Sequence, residues 1–327
     1  MGAQVNFVQA INQAMHDAMA DDPSVLLLGE DVADEEGGGV VKVTAGLSSA
    51  FGTDRVRSTP ITEEAIIGAA VGSALVGKRP IAEIMLMNFL TVGMDQIVNH
   101  AAKLRFMSGG QTNVPMTIRT MTGAGGGAGG QHTDMLEAWF AHIAGIKVVA
   151  PSTPADAYGL LRSCIEDDDP CLFVENMPTY WTTGEAPVTG TRIPLGKASV
   201  VTEGSDVTII SYARTMMEAG GATKALSESG ISAELIDLRT IAPFDLETIL
   251  TSVRKTKRAL IVHEAVTPFG VGAEIAARIS EELFHELAAP VQRVGSSFNA
   301  VPYAQSLEEA HLPSIQQIVD AAKKTLA

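Results

Sequence analysis

Cysteine, tryptophan and basic residues are all scarce in this 327-residue chain. Its two cysteines, Cys164 and Cys171, are too few for a disulfide framework. No pair of His or Cys has the spacing of a zinc site. No apolar run reaches the roughly 18–20 residues that cross a membrane, so no membrane partner is expected. The first residues, Met1-Gly2-Ala3-Gln4-Val5-Asn6, lack the basic and apolar regions of a signal peptide. Asn6 also stands where a myristoylation motif wants Ser or Thr, and the expected compartment is the cytoplasm. Lys and Arg number 23 against 38 Asp and Glu, a net charge of −15. That argues against nucleic acid, because phosphate binding needs a basic face. An acidic surface keeps a protein soluble or attracts a basic protein. Neither the Gly-x-Ser-x-Gly elbow of serine hydrolases nor the Gly-Lys-Ser/Thr of a phosphate loop occurs.

What is there is a folded-protein composition, 46% hydrophobic and 19% charged, arranged as two α/β series. In the first, apolar runs at Val25-Leu26-Leu27-Leu28, Pro80 to Met85, Val114 to Met121, Lys147-Val148-Val149-Ala150 and Cys171-Leu172-Phe173-Val174 read as strands. Between them, Ala65 to Val76, Met94 to Met107 and Met135 to Ile143 read as helices, and a further helix opens at Pro151 to Ala157 with Ser or Thr as cap. This alternation predicts a mainly parallel sheet covered on both faces. A weakly patterned stretch follows, and then a second series. Its strands fall at Val207 to Ile210, Ala233 to Ile236, Ala259 to Val262 and Val291 to Val294. Its helices fall at Met216 to Ser227 and Gly272 to Leu287. We place the boundaries at 1–178, a linker at 179–198, and 199–327.

Gly123-Ala124-Gly125-Gly126-Gly127-Ala128-Gly129-Gly130 satisfies Gly-x-Gly-x-x-Gly between a strand and a helix. A dinucleotide site also wants an acidic residue about 20 positions on, at the end of the next strand. That strand ends Val149-Ala150-Pro151, and the cluster lies deep in its domain, so a flexible loop able to approach a ligand fits better. His132 follows it, and histidine is the side chain suited to proton exchange near neutral pH. Thr59-Pro60-Ile61-Thr62-Glu63-Glu64 opens the Gly/Ala helix. Glu63 falls in its first turn, where the dipole favours a carboxylate and Thr62 is placed to cap. Read locally, Glu63 is either a helix-start carboxylate or a catalytic one.

Taken in order, Gly29-Glu30-Asp31-Val32, Thr59 to Glu63, Met87-Asn88-Phe89, Met107-Ser108-Gly109-Gly110 and Gln131-His132-Thr133 resemble the β subunits of thiamine-diphosphate-dependent 2-oxo acid dehydrogenases. These are the pyruvate, branched-chain and acetoin type. Lys147 to Ser152, Asp169-Pro170 and Val262-His263-Glu264 extend the resemblance over nearly the whole chain. It implies a pyrimidine-binding domain followed by a transketolase C-terminal-like domain. Glu63 is similar to the glutamate that hydrogen-bonds N1′ of the aminopyrimidine and so promotes deprotonation of the thiazolium. Ile61 and Phe89 match positions that pack on the aminopyrimidine. Glu30 matches an acidic residue near the cofactor and the passage between active sites. Phe106 stands among the cofactor-side positions where the family commonly has Tyr. His132 matches a histidine used in passing the acyl group to lipoamide. Met116, Cys164, Ile165, Asp167 and Asp169 match a potassium site.

The Gly-Asp-Gly that holds Mg²⁺ and the diphosphate in thiamine-diphosphate enzymes does not occur. By the family pattern it lies on an α subunit, which implies a cofactor shared across an α₂β₂ heterotetramer and a lipoyl acyltransferase core, or another acyl carrier, as acceptor. Two alternatives stay open: ketol transfer on the same split scaffold, and a non-catalytic assembly subunit. The almost all-glycine loop before Gln131-His132 departs from the family and predicts a looser loop or a different acceptor.

Overall fold

The computed structural model describes residues 4–327. The chain divides into two compact units. One takes the residues up to Thr122 together with Trp139–Leu195; the other takes Gly123–Ala138 and Gly196–Ala327. The glycine cluster and His132 thus group with the C-terminal unit.

The first unit runs β1 (Gln4–Asn6), α1 (Phe7–Asp21), β2 (Val25–Gly29), α2 (Leu47–Phe51), β3 (Val56–Ser58), α3 (Glu63–Leu75), β4 (Arg79–Leu86), α4 (Leu104–Met107) and β5 (Thr117–Thr122). After α5 (Glu137–Ala141) come β6 (Lys147–Val149), α6 (Pro154–Glu166), β7 (Cys171–Asn176) and β8 (Thr183–Glu185). Six strands pair in parallel in the order β3-β2-β4-β5-β7-β6. All of them therefore end at one edge of the sheet and begin at the other. An Asn6/Gln9 capping box starts α1, and Thr153 caps α6 by accepting the Asp156 N–H. The two helices bury Phe7, Ile11, Met15, Tyr158, Leu161 and Ile165 in one cluster.

Two sequence expectations change here. Met94 to Met107 is not one helix but a wide π turn, Gln96–Ala101, followed by the short α4. The reason is tertiary: the backbone at Gly145 lies so close to Ala102 that a Cβ there would sit 1.9 Å from the Ala102 carbonyl oxygen. Ala102 N–H reaches back to Ile97 O instead of continuing the α-helix. Thr62 does occupy the cap position of α3, yet its hydroxyl donates to Pro60 O and caps nothing.

Inside the sheet, Arg119 on β5 is 2% exposed. It bonds Glu83 on β4 at 2.5 Å and Glu175 on β7 at 2.8 Å, and Tyr180 donates its hydroxyl to Glu175. A charge in this setting is tolerated only because its hydrogen-bonding capacity is matched by carboxylates.

The second unit contains β9 (Ser199–Thr202), β10 (Val207–Ser211), α7 (Thr215–Glu228), β11 (Ala233–Asp237), β12 (Thr240–Ala242), α8 (Leu246–Thr256), β13 (Ala259–Val266), α9 (Val271–Leu283), β14 (Gln292–Ser296), α10 (Gln305–His311) and α11 (Ile315–Leu326). Its sheet runs β14-β13-β10-β11-β9, parallel except for β9. Helices α7 and α11 cover one face, with Leu226 and Ile318 buried on Val207, Leu235 and Leu260.

Replacing Arg119 with Met should cost about 3–5 kcal/mol of stability, because Glu83 and Glu175 would then be buried without a cation. Urea unfolding monitored on the first unit checks this, and a loss under about 1 kcal/mol would mean the carboxylates find other partners.

Candidate active site

At the edge of the first unit where its strands end, β2 stops at Gly29 and places Glu30 at the sheet's rim. Glu30 is 9% exposed. The chain turns there through Asp31 at φ +56°. The Thr59–Thr62 segment leaves β3 at the same edge and leads into α3, so Glu63 sits in the first helical turn. Thr62 N–H bonds the Glu30 carboxylate. Burial pushes the Glu30 carboxyl up, and the neighbouring Glu63 and Asp31 charges push it further. Ile61, two residues before Glu63, is 79% exposed. Phe89 follows β4 in a 3₁₀ turn, Met87–Thr91, at this same edge. The fold therefore gathers Glu30, Ile61, Glu63 and Phe89: two coupled carboxylates beside an uncovered aliphatic side chain and a half-buried ring. Such a set can exchange a proton with the nitrogen edge of a heterocycle and offer an apolar wall to its face.

Phe106 lies elsewhere. On α4 it lines a cavity with Gly109, Gly145, Lys147 and Asp169. That is the edge where the strands begin, so in this chain it does not converge with Glu63. The residues matched to a potassium site meet at this same opposite edge. Met116 O accepts from Cys171 N–H, and Cys164 O from Asp167 N–H. Ile165 O and Asp167 O accept from Arg79. Lys147 Nζ lies 2.6 Å from Asp167 and 3.4 Å from Asp169, which also bonds Arg105. The carboxylates here are already matched by ammonium and guanidinium groups.

In the second unit the glycine cluster is held rather than loose. Gly123, Gly125, Gly127 and Gly129 all have positive φ, so alternate peptides turn their N–H groups to one side. Ala124 N–H donates to Glu264 at 2.6 Å, and Gly125 and Gly127 N–H donate to Glu308 at 2.7 and 3.0 Å. Arg214 donates to Ala124 O. A Cβ on Gly129 would lie 2.4 Å from the Tyr303 ring. The amides that a dinucleotide phosphate would need are bonded to the protein's own carboxylates. His132 N–H closes the loop by donating to Gly129 O, and the side chain is half-buried. Beneath the loop, Tyr212 donates to the fully buried Glu137, whose carboxyl burial pushes up. Sequence reading did not find Glu308, which lies 183 positions from Gly125 with no motif around it. Glu264 stands out in the sequence only as part of Val262-His263-Glu264.

Comparison with known proteins places this geometry. Residues 3–181 match the transketolase pyrimidine binding domain and residues 196–318 the transketolase C-terminal domain. A split-gene transketolase solved as an inactive β4 tetramer superposes with a TM-score of 0.80 at 21% identity, covering 98% of each chain. These matches define a two-domain chain of transketolase type. The acetoin:2,6-dichlorophenolindophenol oxidoreductase β subunit of Cupriavidus necator is 42% identical over 100% of this chain and 98% of its own. The pyruvate dehydrogenase E1 β subunit of Staphylococcus epidermidis is 43% identical over 99% of both. The chain belongs to the family of pyruvate dehydrogenase E1 and acetoin oxidoreductase β subunits.

His263 gives the second unit a pH signature. It is buried, its Nδ1 donates to Ala265 O, and burial pushes its pKa down to about 4 from 6.5. The unfolded chain takes up this proton near pH 6.5 and the folded chain only near 4. Stability from the neutral ring is therefore complete above pH 6.5 and is lost as pH falls toward 4, by about 3 kcal/mol. A His263→Gln chain should show a flatter pH dependence of its denaturation midpoint across that window; an unchanged slope would refute the assignment.

Proposed function

We propose that this chain is the β subunit of a thiamine-diphosphate-dependent enzyme that, with an α subunit, decarboxylates a 2-oxo acid or cleaves acetoin and passes the acyl group to a lipoyl group. The observation that carries this is the coupled Glu30–Glu63 pair beside exposed Ile61, at the strand-ending edge of a domain matched as pyrimidine binding. The family is thiamine-diphosphate dependent, and the residues present suit the pyrimidine half of that cofactor. When bound, thiamine diphosphate supplies the carbanion equivalent that adds to the substrate carbonyl and accepts the electrons released on cleavage.

Glu63 exchanges a proton with N1′ of the pyrimidine. Glu30 lies beside Glu63, and its own carboxyl is pushed up by burial and by the Glu63 and Asp31 charges. Ile61 and Phe89 give the ring its apolar wall. His132 donates and accepts a proton where the acyl group is handed on. The diphosphate and Mg²⁺ belong to the α subunit, in an α₂β₂ heterotetramer working on a lipoyl acyltransferase core, in the cytoplasm. We assign the carbonyls of Met116, Cys164, Ile165 and Asp167, with Asp169, to a structural potassium ion. Each carbonyl keeps a second lone pair beyond its bond within the chain. Phe106, at that opposite edge and 90% exposed, we assign to subunit contact rather than to this chain's cofactor. Ketol transfer has only fold-level support at 21% identity, against 42% for the dehydrogenase β subunits.

Glu63→Gln should lower turnover by about 10²-fold or more while the α/β complex still assembles; full activity in the variant would sink the mechanism. His132→Ala should depress acyl transfer to lipoamide well below decarboxylation read with an artificial electron acceptor, and equal losses in the two assays would count against that role.

A further inference from the structure

The loop that carries His132 is tied down by charged side chains from later in the chain. Glu308, on α10, is 2% exposed and accepts the N–H groups of both Gly125 and Gly127. Glu264, on β13, is 5% exposed and accepts that of Ala124. Arg214, just before α7, holds the Ala124 carbonyl from the other side. Tyr303 packs against Gly129, and Ala300 and Val301 against Gly130, just before Gln131 and His132. A run of glycines has the largest backbone entropy to lose on ordering. Hydrogen bonds to an ionised acceptor are the strongest a backbone amide makes. Carboxylates are therefore the groups best able to hold such a loop in one conformation.

We propose that Glu308, supported by Glu264, is a positioning residue for acyl transfer: it fixes the glycine loop and through it the place of His132. The inference rests on the role assigned to His132 above. It also explains how an almost all-glycine sequence serves here. The glycines permit the alternating positive-φ path, and the two glutamates supply the rigidity that larger side chains would otherwise give. Neither glutamate touches a reacting atom in this account. Their contribution is to remove loop conformations in which His132 is misplaced.

The test uses the α/β holoenzyme with Glu308→Ala and Glu308→Gln. Glutamine keeps one carbonyl oxygen, and the Oε1 position lies 2.7 and 3.3 Å from the Gly125 and Gly127 amides. It loses the charge and the second acceptor, so it should restore part of what alanine loses. In Glu308→Ala, hydrogen exchange of residues 123–133 should accelerate while β10 and β13 stay protected. Acyl transfer to a lipoyl domain should fall roughly tenfold, with decarboxylation to an artificial acceptor within about twofold of wild type. Glu308→Gln should return both readouts part of the way. Unchanged loop exchange in Glu308→Ala overturns the proposal, as does exchange rising throughout the second unit, or glutamine faring as badly as alanine. Failure of the underlying reading is separate: a His132→Ala enzyme with unimpaired acyl transfer refutes the role of His132, whatever the exchange of the loop.

Discussion

Arg119 carries a charge into the middle of a parallel sheet, and the first unit is arranged around meeting it. Glu83 and Glu175 come from the strands on either side and Tyr180 completes the set, so β4, β5 and β7 are joined by ionic hydrogen bonds as well as by their ladder. Burying an arginine gains little by itself over an apolar residue. What it confers is register, because a slip of one residue would point the guanidinium to the other face and leave two carboxylates without a cation. Register matters here because the chain leaves these strands directly into the segments that hold Phe89 and the glycine cluster. β4 runs into Met87-Asn88-Phe89, and β5 into the glycine loop.

The two units solve different problems with acidic residues. In the first, burial and the neighbouring charges of Glu63 and Asp31 hold the Glu30 carboxyl above its ordinary range. In the second, Glu264 and Glu308 accept backbone amides and act as anchors. The same side chain is pushed toward its neutral form when it is buried beside other acids and acts as a brace when its neighbours are N–H donors.

The strand–helix alternation was legible because the buried strands are short apolar runs and some of the covering helices carry a cap in their sequence. Thr153 is a cap in sequence and in structure. The first-turn position of Glu63 was legible for the same local reason. The 94–107 segment was not, because what interrupts it is the backbone at Gly145, forty residues on. The edge on which Phe106 falls depends on how the strands are ordered, which a linear pattern does not state. Resemblance gave His132 its neighbourhood, while the departure from the family in its glycine loop implied either a looser loop or a different acceptor. The acceptors that order it lie on β13 and α10, and single glutamates at that separation leave no trace in local composition.

Loops of alternating positive-φ glycines are the form in which many proteins wait for a phosphate. Here the anions are part of the polypeptide. The cavity that a ligand would fill in those proteins is filled during folding, by residues synthesised long after the loop itself. Until Glu308 has been made and α10 has docked, the amides of Gly125 and Gly127 lack their carboxylate, and only the Ala124 end of the loop has its partners, Glu264 and Arg214. Ordering of the glycine loop is thereby tied to a late part of the chain, and a product truncated before residue 308 would lack the carboxylate that holds Gly125 and Gly127.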